Sequence, residues 1–224
     1  MNTIHVASSD GVDIPVYDYA PGSTRGGVLF SHATGFHGRC FNSTAALLAD
    51  SAHCYSFDYR GYGDATLPTD WNVTWGGYGD DAQTVAQHCA RESGPLIAFG
   101  HSMGGAALVM AALREPELFR ALVLFEPIIF PPVVRENGGG GGPSPLSEGA
   151  RRRRTTFASF TEAIANYSAK PPLNVFSPEV LSDYVHFGFR AHEDNTVSLK
   201  CAPEHEARTY ESGALHETWN DLAK

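Results

Sequence analysis

The run Leu96-Ile97-Ala98-Phe99-Gly100-His101-Ser102-Met103-Gly104-Gly105-Ala106-Ala107-Leu108 decides how this chain is read. It opens as a short apolar stretch and passes through Gly-x-Ser-x-Gly. It then continues into Ala- and Leu-rich sequence of helical character. The order implied is strand, sharp turn, helix. Gly100 and Gly104 carry no Cβ, so strand and helix can approach closely around a strained turn. Ser102 sits at the apex with its hydroxyl exposed. The helix that begins there points backbone N–H groups and a positive dipole end at any negative charge developing nearby. Ser102 is therefore a candidate nucleophile. With 23 Gly in 224 residues the bare spacing arises readily by chance, so the flanking strand and helix carry the weight of the reading.

Upstream, Thr3 to Ala7 and Asp13 to Tyr19 alternate apolar and polar around Ser9-Asp10-Gly11 and predict a β-hairpin, with Pro15 suited to an edge strand. Gly26 to His32 is a continuous apolar run, as in a strand buried on both faces. A small-residue loop, Ala33 to Gly38, follows it, and then helical sequence through Ala45 to Ala49. His53 to Asp58 predicts a fourth strand running into Tyr59 to Asp64. Gly79 to Arg91 predicts a helix whose first turn holds Asp80 and Asp81, complementing the dipole. Downstream, Arg120 to Glu126 predicts another buried strand. Strands alternating with helices mean a mostly parallel α/β sheet with helices on both faces, whose ligand crevice lies at the carboxyl ends of the strands. Thr34, Ser102 and Glu126 therefore converge on one rim.

The pattern changes after Glu126. Pro127, Pro131 and Pro132 interrupt it, and Gly138 to Gly142 with Pro143 and Pro145 read as a flexible linker. Helices are predicted over 150–169, from Pro178, over 204–210 and over 215–224, with a short strand or extended loop over 195–201. The organisation expected is a core over 1–130 and a helical cap over 131–224.

Composition limits the function classes. A net charge of −9 argues against a nucleic-acid partner, whose affinity would rest on neutralising phosphates. The basic run Arg151 to Arg154 reads as a solvated face, with anion binding as the alternative. Cys40, Cys54, Cys89 and Cys201 form no C-x-x-C pair, so neither a metal site nor a disulfide framework is expected. No secretory signal or membrane span is visible, and the expectation is a cytoplasmic protein with no cofactor, no metal and no membrane partner.

Three segments together resemble one family: His32-Ala33-Thr34-Gly35-Phe36-His37-Gly38, Asp58-Tyr59-Arg60-Gly61-Tyr62-Gly63 and Gly100-His101-Ser102-Met103-Gly104-Gly105. In order and spacing they resemble the capped, cofactor-free serine hydrolases of the α/β-hydrolase fold, over roughly residues 1–130. The resemblance implies Ser102 as nucleophile and the backbone N–H groups of Met103 and Thr34 as the oxyanion hole. It implies a structural role for the Asp58 to Gly63 turn, and a small carboxylic ester or related acyl or carbon–carbon bond as substrate.

That family's acid and His follow its seventh and eighth strands. The sequence after Glu126 predicts neither strand, so the expectation is that the C-terminal part carrying both residues is missing. The sixth strand would then be left as an exposed edge open to self-association. Glu126 is a substitute acid candidate. His186, His192, His205 and His216 lie in cap-like sequence, and His101 would point away from Ser102. Two other readings stay open: a catalytically incomplete ligand- or partner-binding protein, and an acyltransferase.

Overall fold

A computed structural model describes residues 1–136 and 141–223. Six strands form the main sheet: β1 (Asn2–Ala7), β2 (Asp13–Asp18), β3 (Gly27–Ser31), β4 (His53–Phe57), β5 (Leu96–His101) and β6 (Phe119–Phe125). Their order is β1-β2-β4-β3-β5-β6. The first two pairings are antiparallel, and β4, β3, β5 and β6 run parallel.

The β1–β2 hairpin turns through Asp10 (φ 59°) and Gly11 (φ 71°), closed by the Ser8 N–H on the Val12 carbonyl at 2.8 Å. The predicted edge position of Pro15 is wrong, because β2 pairs on both sides. Its ladder with β4 covers only Val16 to Asp18, so Pro15 lies just beyond it and owes no N–H there.

The strand period of two splits the parallel strands between two faces. Leu29, Tyr55, Phe57 and Ala98 bury one face against α2 (Trp75–Ser93) and α3 (Met103–Arg114). Phe30, Cys54 and Ala45, the last on α1 (Asn42–Leu47), pack together on the other face. The two large helices pack on each other, with Ala82, Ala86, Ala107 and Ala111 buried in their shared core and Gly79 of α2 close to Met110 of α3.

α2 starts four residues earlier than predicted. Asp81 therefore lies in the helix body, fully buried against Arg60, and is not a first-turn dipole partner. At β6 the expected burial fails: Val123, Leu124 and Phe125 are 50%, 38% and 55% exposed, because among the described residues no strand covers its outer side.

After β6 come α4 (Pro132–Glu136), α5 (Pro145–Arg151), β7 (Thr156–Phe157), α6 (Phe160–Ser168), α7 (Pro178–Gly188), β8 (Phe189–Ala191), β9 (Val197–Leu199) and α8 (Pro203–Glu211). Most of the predicted linker, residues 138–140, lies outside the described residues. The single helix predicted over 150–169 is two helices with β7 between them, since Ser159 caps α6 afresh. The predicted terminal helix is only a 3-10 turn, Thr218–Asp221.

Strands β7, β9 and β8 form a small antiparallel sheet. Phe157, Leu181, Tyr184, Val185 and Phe189 pack together there over Phe36 and Cys40 of the loop after β3. The arginine run is a solvated face in part, with Arg152 and Arg154 exposed and Arg151 and Arg153 half-buried. Arg151 binds Glu204 and Glu211, Arg153 binds Glu206 and Arg154 binds Glu162, so carboxylates of the same chain take the anion role. All four cysteines are free, and among the described residues no helix is long and apolar enough to cross a membrane.

Candidate active site

Ser102 joins β5 to α3 with φ 55° and ψ −117°, a conformation that side chains avoid unless the surroundings impose it. The surroundings here do. The Ser102 N–H extends the ladder to the Phe125 carbonyl at 2.9 Å, and the Ser102 carbonyl accepts from Ala106 and Ile128 at 3.1 and 3.2 Å. A Cβ on Gly104 would stand 2.5 Å from the carbonyl oxygens of both Ser31 and His32. Only glycine lets the start of α3 press so closely on the end of β3. Among the described residues Ser102 Oγ has no hydrogen-bond partner. The N–H groups of Thr34 and Met103 are likewise unpaired among them.

The loop after β3 is held from below by His32. Its Nε2 accepts from the Tyr59 N–H at 3.1 Å, so Nδ1 carries the proton and donates to the Ala33 carbonyl at 2.9 Å. Burial pushes the His32 pKa down to about 3, which keeps that tautomer neutral. From above, the loop meets residues that nothing local in the sequence announced. The Glu206 carboxylate sits against Gly35, where a Cβ would stand 2.7 Å from Oε1, and Arg153 holds that carboxylate. The Tyr210 hydroxyl reaches the Thr34 carbonyl at 3.5 Å, and His37 Nε2 bonds the Tyr184 carbonyl at 3.1 Å.

The second turn on this rim is scaffold. Asp58 accepts from Tyr17 Oη, the Gly38 N–H and the Asp64 N–H at 2.6, 2.7 and 2.8 Å. Burial raises its pKa, and the three donors oppose that rise. Arg60 is fully buried in a fork on Asp81, with 2.9 and 2.7 Å contacts, and also reaches Ser9 and Asp10.

The histidines considered as bases are occupied elsewhere. His216 donates from Nε2 to the Ile128 carbonyl at 2.7 Å and lies 2.8 Å from Thr218 Oγ1 through Nδ1. His205 is packed against Tyr62 and Trp71, and burial lowers its pKa to about 4. His186 bonds Ser182 at the exposed side of α7, and His192 bonds Ser198 at 2.7 Å. His101 packs at a tilt on Phe125 with ring centroids 5.1 Å apart, and burial lowers its pKa against the opposing Glu126 charge. Glu126 follows β6 with φ 46°, exposed, and among the described residues it makes no hydrogen bond.

Two concavities of about 350 and 400 Å³ lie elsewhere and do not include Ser102. Asp18, His53 and Glu92 could hold a metal ion by proximity, at the opposite end of the parallel strands. Their geometry is accounted for by hydrogen bonds: His53 Nε2 to Asp18 at 2.7 Å, and Nδ1 to Tyr55 and Ser93 at 3.1 and 3.2 Å.

Comparison with known proteins agrees with this fold. Lipase LipV of Mycobacterium tuberculosis is 30% identical over 122 residues, which are 53% of this chain and 43% of that protein, so the match spans less than half of the relative's length. The crystal structure of E-2-(acetamidomethylene)succinate hydrolase superposes with a TM-score of 0.74 at 17% identity, over 98% of this chain and 76% of that one. The peroxisomal alpha-beta-hydrolase Lpx1 of Saccharomyces cerevisiae gives 0.69 at 18% identity, over 95% and 67%. The sequence profile of the alpha/beta hydrolase family matches residues 28–221, and the chain belongs to that family.

Proposed function

We propose that this protein is a serine hydrolase acting on a small carboxylic ester or a related acyl or carbon–carbon bond. Ser102 is its nucleophile, and the N–H groups of Thr34 and Met103 hold the oxyanion. One observation carries the reading: the forced positive φ of Ser102 at the head of α3, pressed by Gly104 onto the end of β3. That arrangement leaves a hydroxyl and two amide donors unpaired on one rim. It is the pattern expected where charge develops in a transition state. The layer built from β7 to β9 with α6 and α7 acts as a cap, and through Phe36 it sets the loop that carries Thr34.

A serine hydroxyl needs a base to take its proton, and losing the base from a Ser-His unit costs about a millionfold in turnover. His186, His192, His205 and His216 each have partners other than the Ser102 hydroxyl, so among the described residues no histidine is hydrogen-bonded to it as a proton acceptor.

That same observation favours a second reading, a protein that binds a ligand or partner at this rim without turnover. Incubation with 4-nitrophenyl acetate separates the two. Acetylation confined to Ser102, absent from the Ser102→Ala variant, supports the hydrolase. Equal nitrophenolate release by both proteins, with no acetyl-serine, supports the binding protein.

A further inference from the structure

The turn that carries Thr34 does not hold itself. It runs from Ala33 to Phe36, closed by the Phe36 N–H on the Ala33 carbonyl at 3.1 Å, with Gly35 at φ 81°. That is a type II turn, and its glycine adopts either sign of φ at similar cost, so local sequence leaves the turn free to change form. α8 supplies a stop. Glu206, 6% exposed, places Oε1 2.7 Å from where a Gly35 Cβ would stand, so its carboxylate lies against the bare glycine. Arg153 locks that carboxylate and donates in turn to the Tyr167 and Tyr184 hydroxyls at 3.1 and 2.5 Å. The helix behind the stop is pinned at both ends, where Arg151 reaches Glu204 and Glu211 at 2.8 and 2.5 Å. In its middle, Thr209 Oγ1 accepts from the Tyr62 hydroxyl at 2.9 Å. A buried ion pair adds little stability over apolar packing, so stability alone does not explain its place on this turn.

We propose that Glu206 is a positioning residue for the oxyanion hole: locked by Arg153, its carboxylate is the stop against which the Thr34–Gly35 turn rests, and it fixes where the Thr34 N–H stands. The oxyanion role rests on the hydrolase reading; the stop itself does not. Glu206 and Tyr210 are one helical turn apart on the same face of α8, and the Tyr210 hydroxyl reaches the Thr34 carbonyl at 3.5 Å. Below the turn, His32 Nδ1 ties the Ala33 carbonyl at 2.9 Å. Held on both sides, the Thr34 N–H needs no rearrangement when negative charge develops, and that preorganisation is the source of an oxyanion donor's effect. Glu206→Asp withdraws the stop by one methylene and keeps a carboxylate. Glu206→Gln keeps the shape and loses the ionic lock. Either change frees the turn, and misplacing a group by about 1 Å can cost up to about a hundredfold in rate.

Fluorophosphonate labelling of Ser102 with imidazole present yields a maximal rate and a half-saturating concentration. Glu206→Asp and Glu206→Gln should each lower the maximal rate about tenfold and leave half-saturation within about twofold. In a Thr34→Pro background, which lacks the N–H but carries a residue favoured at that turn position, the same substitutions should have no further effect. The stop is read without any chemistry from the amide order parameters of Thr34 and Gly35, expected at about 0.85 in the wild type and below about 0.6 in Glu206→Asp. Circular dichroism of each variant confirms that it is folded. A rate loss that persists in Thr34→Pro, or order parameters unchanged by both substitutions, overturns the proposal. If Ser102 is never labelled in the wild type, the hydrolase reading and the oxyanion role fall together, while the order parameters still decide whether Glu206 holds the turn.

Discussion

Two turns meet on the carboxyl rim of this sheet, and they are built oppositely. At Asp58 to Gly63 every strong polar group is engaged: Asp58 receives three donors, and Arg60 spends its guanidinium on Asp81, Ser9 and Asp10. At Ser102 the backbone is forced and the side chain is left without a partner. A family resemblance marks both turns alike. The difference teaches that hydrogen-bond accounting separates a scaffold turn from a reactive one, because satisfied groups stabilise and unsatisfied ones remain free to bind.

The comparison can be broken most sharply by stability. Asp58→Ala strands the Tyr17 hydroxyl and two N–H groups in a buried site and should cost about 4 kcal/mol in urea unfolding. Ser102→Ala removes no hydrogen bond and should stay within about 0.5 kcal/mol of wild type. Comparable losses in the two variants would erase the distinction.

Next in size is the loop that faces Ser102. Both oxyanion donors are backbone groups, so Thr34→Ala should change the rate of Ser102 acylation by less than about twofold, whereas Thr34→Pro, lacking the N–H, should slow it about a hundredfold. Equal rates would move the donor elsewhere.

The remaining effect depends on pH and concerns the support beneath that loop. Burial holds His32 neutral with a pKa of about 3, against 6.5 in the unfolded chain. Between those values the unfolded chain binds a proton that the folded one refuses. Stability therefore falls as pH drops from 6.5 toward 3, by up to about 1.4 kcal/mol per pH unit from this group. His32→Gln keeps an acceptor for the Tyr59 N–H without titrating, and its urea midpoint should fall less steeply over that range. Parallel slopes would show that His32 does not titrate as described.

What was legible in the sequence was local. Gly100, Ser102 and Gly104 encode the elbow through sterics within five residues, and the apolar runs encode β3 to β6. α2 starts at Trp75 and not at the predicted Gly79, so it takes in Gly76 and Gly77 as well as Gly79, residues of poor helix propensity. The structure gives two of them a packing reason: a Cβ on Gly77 would stand 2.8 Å from Arg60, and one on Gly79 would stand 3.0 Å from Met110. β8 was missed because it continues from α7 with no turn residue between Gly188 and Phe189. The exposure of β6 contradicts its apolar composition, which cannot say whether a neighbour is present. Arg153, Glu206 and Tyr210 reach the Thr34 loop from more than a hundred residues away, and no spacing rule connects them.

The most direct test of the central claim is mass-spectrometric mapping of fluorophosphonate labelling, with and without free imidazole as a substitute base. One adduct is expected, on Ser102, formed faster with imidazole and absent from Ser102→Ala. Labelling that survives Ser102→Ala, or a Ser102 that stays unmodified even with imidazole present, would contradict it.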